Sequence, residues 1–379
     1  MVNEIISILD TFKKLGVHKD FVKALDGLNI TKPTEIQNLT IPMLLNTKTD
    51  LVGQAQTGTG KTAAFGLPLL QSVDASRGEI QGLILCPTRE LGQQIAKQLF
   101  RFTKFSDRIF TEAVYGGEKI DRQISSLRRP THIVVATPGR LIDLLKRKAL
   151  SLNKVQTVIL DEADEMLSMG FQKELNQILD FLPENTNKWL FSATMPHAIR
   201  EIIKEHLASD APRIEISGKT KVNENIHHKY FVCDEEEKLH ILIKFLKSQH
   251  KNRGIIFCRT KKATQYLAKQ LISKNISVDA IHGDLQQKER EKVLRAFKKE
   301  NLQIIVATDI AARGLDIEAL SYVAHFQLPE SEEYYTHRSG RTARAGREGV
   351  SMAFVTAIER NKLIEYENSL GISFERRWE

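Results

Sequence analysis

Short apolar runs recur along the chain, separated by longer amphipathic stretches. In the first half they are Asp50-Leu51-Val52, Leu83-Ile84-Leu85-Cys86, Ile133-Val134-Val135-Ala136, Val158-Ile159-Leu160 and Trp189-Leu190-Phe191. Runs this short and this uniformly apolar suit strands buried on both faces. The amphipathic stretches between them suit helices covering a parallel sheet. The pattern restarts at Gly254-Ile255-Ile256-Phe257. It continues through Val278-Asp279-Ala280-Ile281, Ile304-Ile305-Val306-Ala307, Val323-Ala324-His325-Phe326 and Ser351-Met352-Ala353-Phe354. Between the two series the chain is polar, contains Gly218 and lacks periodicity, so a linker is expected at residues 217–225. The pattern predicts two α/β domains, residues 1–216 and 226–379, each a mainly parallel sheet with helices on both faces. The acidic run Asp234-Glu235-Glu236-Glu237 reads as a solvated helix start, where carboxylates suit the positive end of the helix dipole.

A length of 379 residues agrees with more than one domain. Hydrophobic residues at 41% and charged residues at 27% are enough for a full core under a polar surface. A net charge of +8 leans toward polyanionic partners such as nucleic acid without requiring one. Of the three cysteines, Cys86 and Cys258 end apolar runs, and none forms a C-x-x-C pair. They read as small core residues in a reducing compartment, with neither a zinc site nor a disulfide framework. The N-terminus has no basic-then-apolar signal pattern, and no apolar run approaches the roughly 18 residues of a membrane span. A cytoplasmic protein is expected.

Chemistry enters at Ala55-Gln56-Thr57-Gly58-Thr59-Gly60-Lys61-Thr62, which follows a strand-like run and opens a helix-like one. That context distinguishes a phosphate-binding loop from a Gly/Thr-rich surface turn. Glycines let backbone N–H groups converge on phosphate oxygens at a helix N-terminus. Lys61 would reach the β- and γ-phosphates of ATP, and Thr62 would ligate Mg²⁺. Asp161-Glu162-Ala163-Asp164 follows the buried run Val158-Ile159-Leu160, at the strand end where α/β sheets bind ligands. Asp161 would hold Mg²⁺ through water, and Glu162 would orient or deprotonate the attacking water. Gln37, in Pro33-Thr34-Glu35-Ile36-Gln37, could pair with both N6 and N7 of adenine or could simply start a helix.

These residues resemble the DEAD-box family of ATP-dependent RNA helicases, across nearly the whole chain and in the family's order. Phe12, Thr34 and Gln37 look like its adenine-sensing Q motif, and Ala55 to Thr62 like motif I, with Ala rather than Gly first. Pro87-Thr88-Arg89-Glu90-Leu91 resembles motif Ia, Gly116-Gly117 and Thr137-Pro138-Gly139-Arg140 further RNA-facing elements, Asp161 to Asp164 motif II, and Ser192-Ala193-Thr194 motif III. In the second half Ile256 to Arg259 is similar to motif IV, and Gln287-Lys288-Glu289-Arg290 to the family's Q-x-x-R. Ala307-Thr308-Asp309 with Ala312 to Asp316 resembles motif V, and His337 to Arg344 motif VI.

The resemblance implies two RecA-like domains joined by a flexible linker, RNA-stimulated ATP hydrolysis and local, non-processive unwinding of short RNA duplexes. Gln56, Thr57, Gly58, Thr59, Gly60, Lys61, Thr62, Gly314 and Asp316 would bind nucleotide, Asp316 through the ribose. Arg341 and Arg344 would be arginine fingers on the transition-state charge, and His337 would help arrange the catalytic water. Ser192 and Thr194 would couple hydrolysis to RNA work. RNA would lie on Pro87, Thr88, Arg89, Gly117, Thr137, Gly139 and Arg140 from one domain. From the other it would meet Arg259, Gln287, Arg290 and Thr308. Backbone amides, hydroxyls and arginines suit phosphates rather than base edges, so single-stranded and short duplex RNA would be bound with little sequence preference, and 2′-OH contacts would exclude DNA.

Departures from the family pattern fall in the Q motif, where Ile30 stands at the aromatic adenine-stacking position and Asn29 at the preceding Gly, and in motif VI, where Ser339 and Ala343 replace an aliphatic residue and a Gly. Ile30 has no π-face, so weakened adenine affinity is expected. A DNA helicase of a neighbouring superfamily and an ATP-dependent RNA clamp or annealing chaperone are the rival readings. The chain ends about where the second domain should. A monomer acting as a minimal core, a core recruited by protein partners and a trimmed core are all compatible with that.

Overall fold

The computed structural model describes residues 11–56, 58–216, 223–312, 315, 317, 320–343 and 347–377. The chain folds as two compact units, Met1–Ser217 and Gly218–Glu379.

Alternation along each strand fixes how the first unit is layered. Leu83, Leu85, Val134, Ala136, Val158 and Leu160 enter one apolar cluster, while Ile84, Ile133, Val135 and Ile159 enter another on the opposite face. Successive side chains of a strand point to opposite sides, so a run with no polar position must be covered twice. The sheet is built from β1 (Leu51–Gln54), β2 (Gly82–Leu85), β3 (Thr111–Val114), β4 (Ile133–Ala136), β5 (Thr157–Leu160), β6 (Asn187–Ser192) and β7 (Arg213–Glu215). Its order is β3-β4-β2-β5-β6-β1-β7, and neighbouring strands run parallel.

The second unit repeats the plan. Its strands are β8 (Ile226–Val232), β9 (Gly254–Phe257), β10 (Val278–Ile281), β11 (Ile304–Ala307), β12 (Tyr322–His325), β13 (Gly349–Val355) and β14 (Glu375–Arg376). They lie in the order β10-β11-β9-β12-β13-β8-β14, again parallel, so counted from its own first strand this sheet has the same order as the other. Ile256, Val306 and Ala324 face one cluster, and Ile255, Ile305 and Val323 the other.

Strands β3, β7, β8 and β14 are not marked by the apolar runs. β3, β7 and β14 are sheet edges carrying exposed or half-exposed polar residues, and β8 is interrupted by His227, His228 and Lys229. Of the linker expected at 217–225, residues 217–222 lie outside the described residues. Asn223 and Asn225 are hydrogen-bonded into the second unit, through Asn223 Nδ2 to the Ala343 carbonyl at 2.5 Å and the Gly349 amide to the Asn225 carbonyl at 3.0 Å. Cys86 and Cys258 are buried and immediately follow β2 and β9. Among the described residues no helix is long and apolar enough to cross a membrane.

Candidate active site and RNA-facing loops

In a parallel sheet the loops at the C-terminal strand ends lie side by side, and strand order decides which ones meet. β5, β6 and β1 are neighbours, so the loops carrying Asp161–Asp164, Ser192–Thr194 and Ala55–Thr62 converge. The other half of the sheet, β3-β4-β2, carries Gly117, Thr137–Arg140 and Pro87–Arg89 at the same end.

The phosphate loop leaves β1 and turns into the helix Lys61–Ser72. Gly58 and Gly60 have φ of +86° and +90°, the left-handed region that glycine enters without penalty. A Cβ on Gly60 would also collide with the Gln37 amide. Gln56 and Gly58 are exposed, and Thr59, Gly60 and Thr62 are half-buried. The Thr59 hydroxyl donates to the Gln56 carbonyl at 2.7 Å. Lys61 is buried, and its ammonium donates to the Ala55 carbonyl at 2.7 Å, inside the loop it would share with phosphate. Thr57 lies outside the described residues.

Gln37 braces this loop. Its Oε1 accepts from the Thr34 amide at 3.0 Å, closing a capping box on the helix Glu35–Asn46, and its Nε2 donates to the Gly60 carbonyl at 3.0 Å. One amide N–H and one lone pair are left for a base. Phe12 is 1% exposed inside the apolar cluster, so its ring is a core side chain. Ile30 packs half-buried against the same cluster. Asn29 has φ of +57°, which explains a residue of the Gly/Asn type there, since Asn is among the few non-glycine residues that tolerate this region.

The run after β5 is strained. Glu162 has φ 51° and ψ 51°, left-handed backbone for a long side chain, and its amide donates to Asp161 Oδ1 at 3.0 Å. Such a conformation persists only where its surroundings impose it. Asp161 is 3% exposed. Burial above all, with the Glu162 charge adding to it and the Lys61 ammonium opposing it, raises its carboxyl to about 7. Asp164 is the hub of the site. Its Oδ2 accepts from both the amide and the hydroxyl of Thr194, each at 2.9 Å, while its own amide donates to the Ser192 hydroxyl at 3.3 Å. The Ser192 hydroxyl donates onward to the Thr194 carbonyl at 2.6 Å, and the Ala55 amide donates to the Ser192 carbonyl at 3.0 Å.

Among the described residues no group of three or more acidic, His or Cys side chains could hold a metal by itself. Mg²⁺ is commonly held by one or two carboxylates together with substrate phosphates, and a buried aspartate offset by a single lysine suits that arrangement. Asp161 and Thr62 therefore fit a Mg²⁺ that arrives with a nucleotide.

On the other half of the first sheet, the Thr88 hydroxyl caps the helix Arg89–Phe102 by accepting from the Leu91 amide at 3.3 Å. Pro87 beside it is buried. The Arg89 guanidinium lies 4.4 Å from the centroid of the Tyr115 ring, whose hydroxyl accepts from Gln93 at 2.7 Å. Arg140 donates to Gln123 Oε1 at 2.7 Å and to the Glu118 carbonyl at 3.0 Å, and Gln123 donates to the Tyr115 carbonyl at 3.1 Å. Tyr115 and Gln123 thus tie both arginines to one loop. Gly117 has φ of +81° in an exposed turn, and the space beside Gly139 is open. Thr137 is 8% exposed and precedes the helix Pro138–Lys146.

In the second unit the corresponding half, β10-β11-β9, carries the matching residues. Arg259 follows β9, and Thr260 caps the next helix, Lys261–Ile272, as Thr88 does in the first unit, accepting from the Ala263 amide at 3.1 Å. The Arg259 amide donates to Gln327 Oε1 at 2.9 Å and its Nε to the Leu328 carbonyl at 2.6 Å. Thr308 follows β11, and its hydroxyl accepts from the Ala311 amide at 3.4 Å. Arg290 reaches the Ala311 carbonyl at 2.8 Å, and Gln287 donates to Glu291 at 3.1 Å.

The helix Glu332–Ser339 is anchored by Arg338, which is 2% exposed. Its Nε and Nη2 meet the two oxygens of Asp309 at 2.6 and 2.7 Å, and Nη1 donates to the Gln327 carbonyl at 2.7 Å. A bidentate buried pair of this kind fixes orientation as well as charge. His337 and Arg341 are half-buried beside it, with Arg341 Nη1 donating to the Leu315 carbonyl at 3.4 Å. Gly314, Asp316 and Arg344 lie outside the described residues.

Asp164, Arg338, Asp309, Gln327, Tyr115 and Gln123 have no role that the sequence alone reveals. Asp164, Arg338 and Asp309 sit inside motifs II, VI and V. The others leave no signal, because they act through contacts between separate segments of the chain.

A model of the DEAD/DEAH box helicase family matches residues 34–202, and a model of the helicase conserved C-terminal domain matches residues 237–346. The chain is 43% identical over 361 residues to DEAD-box ATP-dependent RNA helicase CshA of Bacillus cereus, covering 95% of this chain and 68% of that protein. It is 42% identical over 368 residues to the protein of the same name from Geobacillus kaustophilus, covering 97% and 78%. Among solved structures it is similar to S. cerevisiae Dbp5 bound to RNA and ADP BeF3, with TM-score 0.87, 32% identity and coverage of 97% and 95%. It is also similar to Mss116p bound to ssRNA and AMP-PNP, with TM-score 0.87, 28% identity and coverage of 98% and 80%. Identity at this level across both units, over a site with this geometry, means that the chain belongs to the DEAD-box ATP-dependent RNA helicases.

Proposed function

We propose that the first unit holds ATP with Mg²⁺, that the second completes the hydrolytic site, and that the two close around single-stranded RNA. Closure opens short duplexes locally, without processive tracking. The observation that carries this reading is the hydrogen-bonded set Asp164–Thr194–Ser192. It makes the hydrolytic loop and the loop after β6 one mechanical piece, attached to the phosphate loop through Ala55.

Lys61 exchanges its bond to Ala55 for a phosphate oxygen. Thr62 and Asp161 would hold Mg²⁺, which would supply positive charge against the phosphates. Glu162 orients the attacking water and accepts its proton. Arg341 and Arg344 neutralise the charge that develops at the transferred phosphoryl group, with His337 arranging the water. The division of labour supports coupling to closure, because Lys61, Asp161 and Glu162 belong to one unit and the arginines to the other. RNA is held by Thr88, Arg89, Gly117, Thr137, Gly139 and Arg140, and by Arg259, Gln287, Arg290 and Thr308, mainly through phosphates and largely independently of sequence, with Pro87 packing against the strand.

One fluorophore on each unit tests the cycle. A non-hydrolysable ATP analogue and single-stranded RNA together should shorten the distance, and neither should do so alone. Glu162→Gln should close normally while hydrolysis falls at least a hundredfold. Closure without RNA, or retained turnover in Glu162→Gln, would remove the coupling or the base from the scheme. Displacement of a short duplex, measured in parallel, separates unwinding from clamping. A clamp gives long-lived RNA binding without strand release.

A further inference from the structure

The helix Arg89–Phe102 begins at the RNA-facing loop after β2 and runs to the opposite end of the sheet. Its outward face is a single stripe. Gln93, Lys97, Phe100 and Arg101 are exposed, at the i, i+4 and i+7 or i+8 spacing that puts residues on one side of a helix. Lys104 extends the stripe past the cap. Phe100 is 73% exposed, unusual for a large apolar ring. A few residues on, Phe105 gathers two cations, with Lys104 Nζ 5.2 Å from its centroid and Lys23 Nζ, from the helix Lys19–Asp26, at 4.4 Å. Residues 89–110 contain five basic side chains, Arg89, Lys97, Arg101, Lys104 and Arg108, against two acidic ones, Glu90 and Asp107.

The counterpart helix of the second unit, Lys261–Ile272, carries the same device. Tyr266 is 64% exposed and has Lys262 and Lys269 exposed on the same face. Both helices follow the equivalent strand of their sheets, β2 and β9.

An exposed ring flanked along the chain by the exposed Lys97, Arg101 and Lys104, on a stripe that starts near Arg89, has the chemistry of a single-strand platform. Cations neutralise successive phosphates and a π-face takes a base of any identity. A protein-docking patch would have its charges at the rim rather than along the stripe. From this pattern we propose that the outer face of the helix Arg89–Phe102 is an accessory binding surface for single-stranded RNA. It continues the path from Arg89 to a base stacked on Phe100, with Lys97, Lys104 and Lys23 on the phosphates. About 16 Å separates Arg89 from Phe100, at 1.5 Å per helical residue, a span of a few nucleotides. The proposal rests on RNA lying at Arg89, as in the proposed function.

Oligouridylates of 6 and 20 nucleotides distinguish the accessory surface from the core site. Phe100→Ala should weaken the 20-mer by roughly tenfold and leave both 6-mer binding and its stimulation of ATP turnover unchanged. Lys97→Gln with Lys104→Gln should lower the slope of log K against log salt for the 20-mer by about 1.4, about 0.7 for each phosphate no longer neutralised. Thermal midpoints confirm that the variants fold. Unchanged 20-mer affinity and salt slope would overturn the proposal and leave the face to a protein partner. Equal weakening of both lengths would overturn it too, by assigning the residues to the core site or the fold. If no RNA stimulates ATP turnover in the unmutated chain, the proposed function fails instead.

Discussion

Residue by residue, the site stores unfavourable states. Glu162 holds a left-handed backbone, which costs a non-glycine residue about 1–2 kcal/mol. Glu162→Gly should therefore raise the thermal midpoint of the nucleotide-free protein by the equivalent of about 1 kcal/mol while hydrolysis is lost. Glu162→Gln, which keeps the side chain, should give no such gain. A fall in midpoint for Glu162→Gly would show that side-chain interactions outweigh the strain. Asp161 is a second such state. Its folded carboxyl is raised from 3.8 to about 7 by burial, so the fold favours the protonated form. The stability this group contributes is complete below about pH 4 and is lost as pH rises through about 7. Asp161→Asn removes the liability. Its gain in midpoint over the unmutated protein should grow from pH 5 to pH 7 and level off above, and a gain independent of pH would contradict the assignment. Both residues fit a site organised for bound ATP rather than for its own stability.

Among the secondary-structure elements, the helix Glu332–Ser339 shows how a departure from family pattern is accommodated. Ser339 is fully buried, yet its hydroxyl lies 2.9 Å from Ser351 Oγ and 3.4 Å from His325 Nε2. Ser351 also meets His325 Nε2 and the Tyr335 hydroxyl, each at 3.0 Å, and Tyr335 meets His228 at 2.5 Å. Burial holds His325 well below the usual imidazole range and His228 at about 4, so the network is neutral. Ser339→Val, although it restores an aliphatic side chain, should lower stability by about 1–3 kcal/mol, read as a fall in the thermal midpoint, because it strips a partner from buried hydroxyl and imidazole groups. Ala343, four residues on, has φ 55° while buried, so Ala343→Gly should stabilise by about 1 kcal/mol. A more stable Ser339→Val would mean the network is dispensable. The sequence identifies Ser339 and Ala343 as unusual but not why each is tolerated. Ser351 and His325 look like ordinary strand residues until strand order makes β12 and β13 neighbours. For Asp164 and Thr194 the resemblance implies that motifs II and III touch, but not which atoms make the contact. By contrast the apolar strands, the parallel sheets and the phosphate loop follow from local pattern, since each needs only a run of neighbouring residues. The core position of Phe12 is not legible that way, because an aromatic near a motif carries no mark of the face it packs on.

Over the full chain, the identical strand order of the two sheets allows position-by-position comparison. The halves β3-β4-β2 and β10-β11-β9 both carry threonine-capped helices and candidate phosphate contacts. The likeness ends at the other half. The first unit leaves β1 on a glycine-rich loop ending in Lys61 and Thr62. The second leaves β8 on Asp234, Glu235, Glu236 and Glu237, all exposed, before the helix Lys238–Ser248 begins. Four carboxylates at that position repel phosphate, and the buried lysine there, Lys238, is already held by Glu235 at 2.6 Å and Glu359 at 2.9 Å. Among the described residues, the repeated architecture thus offers one candidate phosphate-binding loop. Titration calorimetry with an ATP analogue should give a stoichiometry of one per chain, and a second equivalent would contradict it. On the cycle proposed above, each stroke would therefore be indivisible: one nucleotide would be one event, with no alternation between two copies of the fold within one chain.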